Sequence, residues 1–210
     1  MDEYVKDSVN IKLITSYKEI EDIYEQLIPI YQDIYSAAPD FQYWSESIIK
    51  ECFLKYFTYG KIFMAFKDKD IVGFCVSMLL SKSDILKSSV YSKVINDSNG
   101  QNRKEENISE ILKEKYKINI EKCTYIVDFG VNKIYRNIGI GSILFDKCCN
   151  YSNEDVVTRA STRKSKVVSY YVNRGFFSLE LYQYPIYNYT DKSSGEEEKI
   201  ILLKKRNIRF

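Results

Sequence analysis

The feature that most constrains this chain is an apolar run, Cys123 to Val131, that passes through a short glycine-bearing loop into a helical pattern. Its β-branched and aromatic residues read as a buried strand. The loop, Arg136-Asn137-Ile138-Gly139-Ile140-Gly141, ends where Ile140, Ile143, Leu144 and Cys148 take up three-and-four spacing. That spacing predicts a helix starting on the second glycine and running to about Tyr151. Glycines at such a turn let a ligand approach the backbone, and the amides of a first helical turn, with the positive end of the dipole, suit an anion. The expected ligand carries phosphate.

Two common phosphate loops are excluded locally. A Walker loop needs GxxxxGK followed by Ser or Thr, and no lysine follows Gly141 in that way. The dinucleotide fingerprint needs a third glycine where this chain has Leu144. What remains is R-x-x-G-x-G with a strand valine, Val131, five residues before the arginine, and this resembles the coenzyme A pyrophosphate loop of the GCN5-related N-acetyltransferases. Downstream, Tyr171-Val172-Asn173-Arg174-Gly175-Phe176 resembles that family's Y-x-x-x-G-F signature.

Elsewhere the chain bounds the answer by exclusion. A length of 210 residues suits one large domain, or one domain with an insertion. A net charge of +2, with lysines alternating with acids, indicates no polyanion, so no nucleic-acid partner is expected. The start MDEYVKDSVN has neither a basic nor an apolar leader region, and the longest apolar run, Ile71 to Leu80, is about half of what spans a bilayer. A cytoplasmic protein without a membrane partner is expected. Cys52, Cys75, Cys123, Cys148 and Cys149 form no C-x-x-C pair and read as small buried hydrophobes of a reducing compartment, not as metal ligands. The chain has no histidine, which removes Ser-His and Cys-His nucleophiles and the common zinc sites. Carboxylate, tyrosine, cysteine, lysine or water must carry protons.

In chain order the pattern predicts a strand over Asn10–Thr15, and a helix over Lys18–Tyr35 that Pro29 complicates. A second helix is expected over Trp44–Tyr56, then a hairpin of Lys61–Phe66 and Ile71–Leu80 around Lys67-Asp68-Lys69-Asp70. Residues 81–121 turn polar and read as an insertion, a surface excursion that covers the acceptor side or contacts another subunit, as in a homodimer. Within it Asn102-x-x-Glu105 suggests a cap for a helix with Ile108, Ile111, Leu112 and Tyr116 on one side. After the coenzyme-type loop come a short strand, Val156–Arg159, a helix, Ser165–Asn173, and strands Phe176–Tyr184 and Lys199–Lys204. The expected fold class is α/β (α+β): a mixed, mostly antiparallel central sheet flanked by helices, in a single acetyltransferase domain over 1–210 with the insertion at 81–121.

The resemblance implies direct transfer of an acetyl group from acetyl coenzyme A to an amine, with no covalent enzyme intermediate and no metal. It implies that backbone amides of Asn137, Ile138, Gly139, Ile140, Gly141 and Ser142, with Arg136, hold the pyrophosphate. Phe129, Gly130 and Val131 would pair with the pantetheine arm. Attack by an amine on a thioester needs a neutral nucleophile, a polarised carbonyl and a proton for the departing thiolate. Tyr171 matches the family tyrosine near the sulfur, and a phenol can donate that proton. Where the family often has an asparagine, seven residues before the tyrosine, this chain has Lys164, which suits coenzyme phosphates. Where the family's strand commonly has a glutamate, four before the valine, this chain has Val127. Asp128 is the neighbouring acid, which strand alternation points to the face opposite Val127 unless a bulge intervenes, and Tyr125 is a phenol on the same face as Val127 that could relay a proton through water.

For the acceptor, aromatics cluster around Ala38-Pro39: Tyr31, Tyr35, Phe41, Tyr43 and Trp44, with Asp40 and Glu46 among them. They fill space between helices and sheet or, in the family layout, wall the acceptor channel, where aromatic faces and carboxylates attract a protonated amine. A primary amine on a small molecule or peptide end is expected, losing its proton through water near Tyr125 or Asp128, with rate still rising above neutral pH. The contrasting function class is a non-catalytic coenzyme A binding module that kept the loop and lost the base.

Overall fold

The computed structural model describes residues 9–36, 42–94, 102–184 and 198–206. Its sheet is mostly antiparallel and flanked by helices, and the described residues divide into two compact units: 9–36, 42–78 and 126–152 in the first, and 79–94, 102–125, 153–184 and 198–206 in the second.

In the first unit strand β1 (Val9–Leu13) pairs antiparallel with β2 (Gly60–Lys67), and β2 with β3 (Asp70–Leu79). The sheet continues from β3 to β6 (Thr124–Val131). The β2–β3 hairpin is the one expected, turning through Asp68 at φ +56. Asp is among the few side chains that enter the left-handed region readily. Eight consecutive residues of β3, Ile71 to Met78, are buried, as befits a strand covered on both faces.

The predicted first helix is two: α1 (Tyr17–Glu21), capped by Ser16, and α2 (Tyr24–Ser36). The break falls at Asp22 and Ile23, where the Ile23 amide bonds only three residues back, to Ile20 O at 3.1 Å. Pro29 sits within α2 without ending it. Helix α3 (Glu46–Tyr59) starts on the Ser45 side-chain cap and buries Ile49, Phe53 and Tyr56.

The second unit holds β4 (Val90–Val94), β5 (Asn102–Glu106), α4 (Ile108–Glu114), β7 (Val156–Ser161), α6 (Ser165–Val172), β8 (Phe177–Gln183) and β9 (Lys199–Lys204). Helix α5 (Ile140–Tyr151) belongs to the first unit. The strand order β7-β9-β8-β4-β5 is antiparallel throughout. Here residues 81–121 depart from the surface excursion expected of their composition. Strand β4 pairs with β8 through Tyr91 and Ser92, and Ile85, Val90, Ile108, Leu112 and Ile118 are buried. The buried Gln183 side chain donates to Ile85 O (2.8 Å) and Ser88 O (3.0 Å), tying the segment to β8. A stretch in which polar residues predominate reads as surface, but the five apolar side chains just named point inward. The expected cap also shifts. Residues 102–106 form β5, whose backbone is satisfied by β4, and Asn107 caps α4 by accepting from Ser109 N and Glu110 N.

Candidate active site

Strand β6 ends at Val131, and Asn132 opens a single 3-10 turn, Lys133–Tyr135, by accepting from Ile134 N. Arg136 Nε then donates to Val131 O at 2.8 Å, folding the arginine back over the strand end and closing the loop on itself. Two residues turn left-handed in succession, Asn137 at φ +66 and Gly139 at φ +90, both types that tolerate that region. Gly139 is the N-cap of α5, and Ile143 N bonds to Gly139 O at 3.2 Å, so the helix begins one residue ahead of the glycine expected to start it.

The two glycines therefore have different duties. Gly139 supplies a backbone hand. Gly141 supplies room: a Cβ there would stand 3.2 Å from Phe129 Cζ and 3.3 Å from Val131 Cγ2, so its bare Cα lets α5 close on β6. The first turn of an α-helix sends its amides out along the axis, and here these belong to Ile140, Gly141 and Ser142, with the positive dipole end behind them. Ile138 is half-buried and Arg136 and Asn137 are exposed. This arrangement fits an anion.

Three residues before Val131, Asp128 is the focus of a second constellation. Its Oδ2 accepts from Tyr31 at 3.0 Å and Tyr56 at 2.7 Å, and its Oδ1 accepts from Tyr35 at 3.1 Å. Tyr31 and Tyr35 are four apart on α2 and so share a face, while Tyr56 comes from α3. Burial first, and the Asp128 charge next, push the Tyr31 and Tyr56 hydroxyls well above the ordinary phenol range, so both remain donors. The same two causes push the Cys52 thiol up to about 12. Around the carboxylate the aromatic rings are packed: Tyr31 stacks on Phe74 and meets Phe53 and Trp44 edge-on.

Of the aromatics expected on an acceptor wall, Tyr35 and Trp44 are half-buried with rings 6.5 Å apart, and Tyr31 is wholly buried. Trp44 O accepts from Gln32 Nε2, which ties the start of α3 to α2. Tyr43 is 62% exposed, and Phe41 lies outside the described residues, as do Ala38, Pro39 and Asp40. Phe129 is half-buried against Phe145, and Gly130 is buried where a Cβ would come within 2.7 Å of Ile34 Cδ1. Tyr56 was not singled out by sequence reasoning. The helical spacing of Tyr31 and Tyr35 was readable, but nothing local couples Tyr56 to an acid 72 positions away.

In the second unit Tyr171 lies on α6, 5% exposed, with Phe176 and Tyr170 rings within 6 Å of its own. The turn that follows explains the Y-x-x-x-G-F spacing. Arg174 N and Phe176 N both bond to Tyr171 O, and Gly175 takes φ +83, ending the helix. Lys164 is the N-cap of α6, half-buried, its carbonyl accepting from Val167 N and Val168 N. Tyr125 is buried on β6. Cys75, Cys123, Cys148 and Cys149 are buried and all five cysteines are free thiols. Among the described residues no three His, Cys, Asp or Glu are grouped to hold a metal ion, and no helix is long and apolar enough to cross a membrane.

Comparisons with known proteins bear on the fold. The fold is similar to that of Arabidopsis thaliana NAA60 in complex with acetyl-CoA, at 15% identity and TM-score 0.56 over 95% of this chain and 99% of that one. It is similar to an acetyltransferase from Streptococcus agalactiae 2603, at 12% identity and TM-score 0.57 over 94% and 98%. It is also similar to the PaiA N-acetyltransferase from Thermoplasma acidophilum in complex with coenzyme A, at 14% identity and TM-score 0.53 over 93% and 99%. No curated protein matches. At such identities these are likenesses of fold. The model of the acetyltransferase (GNAT) family, however, matches residues 20–176, from α1 through the loop to Phe176, and the chain belongs to that family.

Proposed function

We propose that this protein moves the acetyl group of acetyl coenzyme A directly to a primary amine on a small molecule or peptide end. The observation that carries the reading is the turn from β6 through left-handed Gly139 into α5, in a chain whose family match spans it. The coenzyme complexes of NAA60 and of PaiA lend support. In this reading residues 1–210 act as one cytoplasmic acetyltransferase domain. The backbone of Asn137 to Ser142 holds the pyrophosphate, with Arg136 closing the loop, and Phe129, Gly130 and Val131 offer backbone to the pantetheine arm. Lys164 supplies a charge for coenzyme phosphate. The coenzyme brings an activated acetyl thioester.

This chain's own groups must then strip a proton from the acceptor and give one to the leaving thiolate. Asp128 is the acid nearest the family's usual base position, with Tyr125 as the neighbouring phenol. Tyr171 is the proton donor. Tyr35 and Trp44 face the acceptor, where aromatic rings and a carboxylate favour a cation, and Phe41, outside the described residues, is assigned to the same acceptor.

A second reading is favoured by two observations: Val127 stands where the family commonly has glutamate, and Asp128 is engaged by three hydroxyls. In that reading the chain binds coenzyme A without turnover. Calorimetry with acetyl coenzyme A, followed by thiol release over a panel of primary amines, separates the two. Binding with amine-dependent thiol release supports the enzyme, and binding without it supports the module. Absence of binding would overturn both.

A further inference from the structure

Asp128 is reached by three phenols of unequal exposure. Tyr31 is 0% exposed and Tyr56 7%, and both are spent on Oδ2; Tyr35 is half-buried and donates to Oδ1. Among the described residues the Asp128 charge also acts on two thiols, Cys52 on α3 and Cys75 on β3, and Lys55 acts on Cys52. Burial pushes both thiols up, to about 12 for Cys52, so neither ionises near neutral pH. Of the three phenols that donate to Asp128, Tyr35 is thus the one whose side chain is not buried. A phenol oxygen can accept one hydrogen bond while its own hydrogen is donated to another group.

We propose that Tyr35 takes the proton of the acceptor ammonium while handing its own hydroxyl proton to Asp128 Oδ1, an inference that rests on the amine-acetylation reading above. The bonds balance. An ammonium N–H breaks as an O–H forms on Tyr35, and the original Tyr35 O–H breaks as an O–H forms on Oδ1. The amine is left neutral with its lone pair, the phenol is regenerated, and the carboxylate becomes a carboxylic acid. After product leaves, Asp128 returns its proton to solvent water along the same path. Tyr31 and Tyr56 are positioning residues in this scheme: by holding Oδ2 they turn Oδ1 toward Tyr35. Their raised hydroxyls keep them protonated donors throughout.

The relay also places the pH dependence. For want of a histidine, turnover by the wild type was expected to rise above neutral pH; with the relay that rise belongs to a variant lacking it. The wild type needs Asp128 ionised and the amine still protonated, so kcat/KM levels off below the amine's own pKa. Without the relay only free amine reacts, and kcat/KM climbs with pH up to that pKa, near 10 for an alkyl ammonium such as lysine's.

The test is kcat/KM against pH for the full chain with acetyl coenzyme A and the best primary amine of the panel, alongside Tyr35→Phe, Asp128→Asn and Tyr56→Phe. Thermal unfolding of each variant reports on folding. Tyr35→Phe and Asp128→Asn are expected to lose about 100-fold near neutral pH and to climb about tenfold per pH unit, while Tyr56→Phe, which removes one of the two holds on Oδ2 but keeps both relay groups, lowers the plateau without adding a slope. A wild-type profile for Tyr35→Phe overturns the relay. So does the same altered profile for Tyr56→Phe, since the cluster would then act only as a structural knot. If the wild type acetylates no amine at all, the acetylation reading itself fails and the relay with it, an outcome distinct from turnover that ignores Tyr35.

Discussion

Val131 and Asp128, three residues apart on β6, each anchor a constellation, but the contacts that build the two differ in range. Val131 O is closed upon by Arg136, five positions on, and the loop then turns through Asn137 and Gly139 into its own helix. Asp128 is held by Tyr31, Tyr35 and Tyr56, which lie 97, 93 and 72 positions away. The first is a local conformational device whose parts fold together in the chain. The second exists only once α2 and α3 have docked on the sheet. A locally built loop should lose binding without losing the fold when altered, whereas a carboxylate assembled from three elements should report on both.

The largest departure from that contrast concerns residues 81–121. Replacing 82–117 by a short linker removes β4, β5 and α4 together with buried Ile85, Val90, Ile108 and Leu112. The expected outcome is loss of a cooperative thermal transition in the second unit. A variant that melts like the wild type would return the segment to the surface role that its composition suggested.

Next in size is Asp128→Ala, which leaves the buried Tyr31 and Tyr56 hydroxyls without their shared acceptor. A cost of about 3–5 kcal/mol in urea unfolding is expected from unmade buried hydrogen bonds and lost charge-assisted ones. A cost under about 1 kcal/mol would mean that the cluster is wet and replaceable.

A smaller effect, on rate alone, is expected of Tyr171→Phe. Turnover should fall about ten- to a thousandfold with coenzyme affinity nearly unchanged, since a proton donor is needed mainly in the transition state. Wild-type turnover would reduce Tyr171 to the packing partner of Phe176 and Tyr170.

Smallest, and confined to binding, is Ser142→Pro. Position 142 is in the first turn of α5, where proline costs no intrahelical hydrogen bond, and Gly141 before it lacks the Cβ that proline would crowd. Removing that amide should weaken acetyl coenzyme A about tenfold by calorimetry, the worth of one hydrogen bond to a charged group. Equal affinity would move the anion away from this turn. Gly141→Val is a poorer probe, because its side chain would meet Phe129 and Val131 inside the protein.

The same difference in range explains what was legible beforehand. The β2–β3 hairpin, the strand–loop–helix at 124–151 and the Tyr171–Gly175 helix end were readable because each is decided within a few residues. Left-handed φ values at Asp68, Asn137, Gly139 and Gly175 fall on residue types that tolerate them. The helix break at Asp22 was not readable, since Pro29 was the stronger local signal and α2 accommodates it. Nor was the division of labour between Gly139 and Gly141, which depends on where Phe129 and Val131 lie under the helix.

By itself, then, the chain determined the family and the strand–turn–helix that passes through Gly139, because glycine placement and helical spacing act at short range. It also determined that proton transfer must proceed without histidine, because residue identity alone settles that. Only the tertiary structure decided that residues 81–121 supply sheet and core. Pairing of β4 with β8 and burial of Ile85 and Leu112 are long-range facts, paid for in loop-closure entropy that no local pattern records. Only it decided, likewise, that Asp128 meets three tyrosines. A half-buried carboxylate takes whichever hydroxyls the packing of α2 and α3 brings to it, and that packing follows from the apolar faces of whole helices, not from the residues beside the acid.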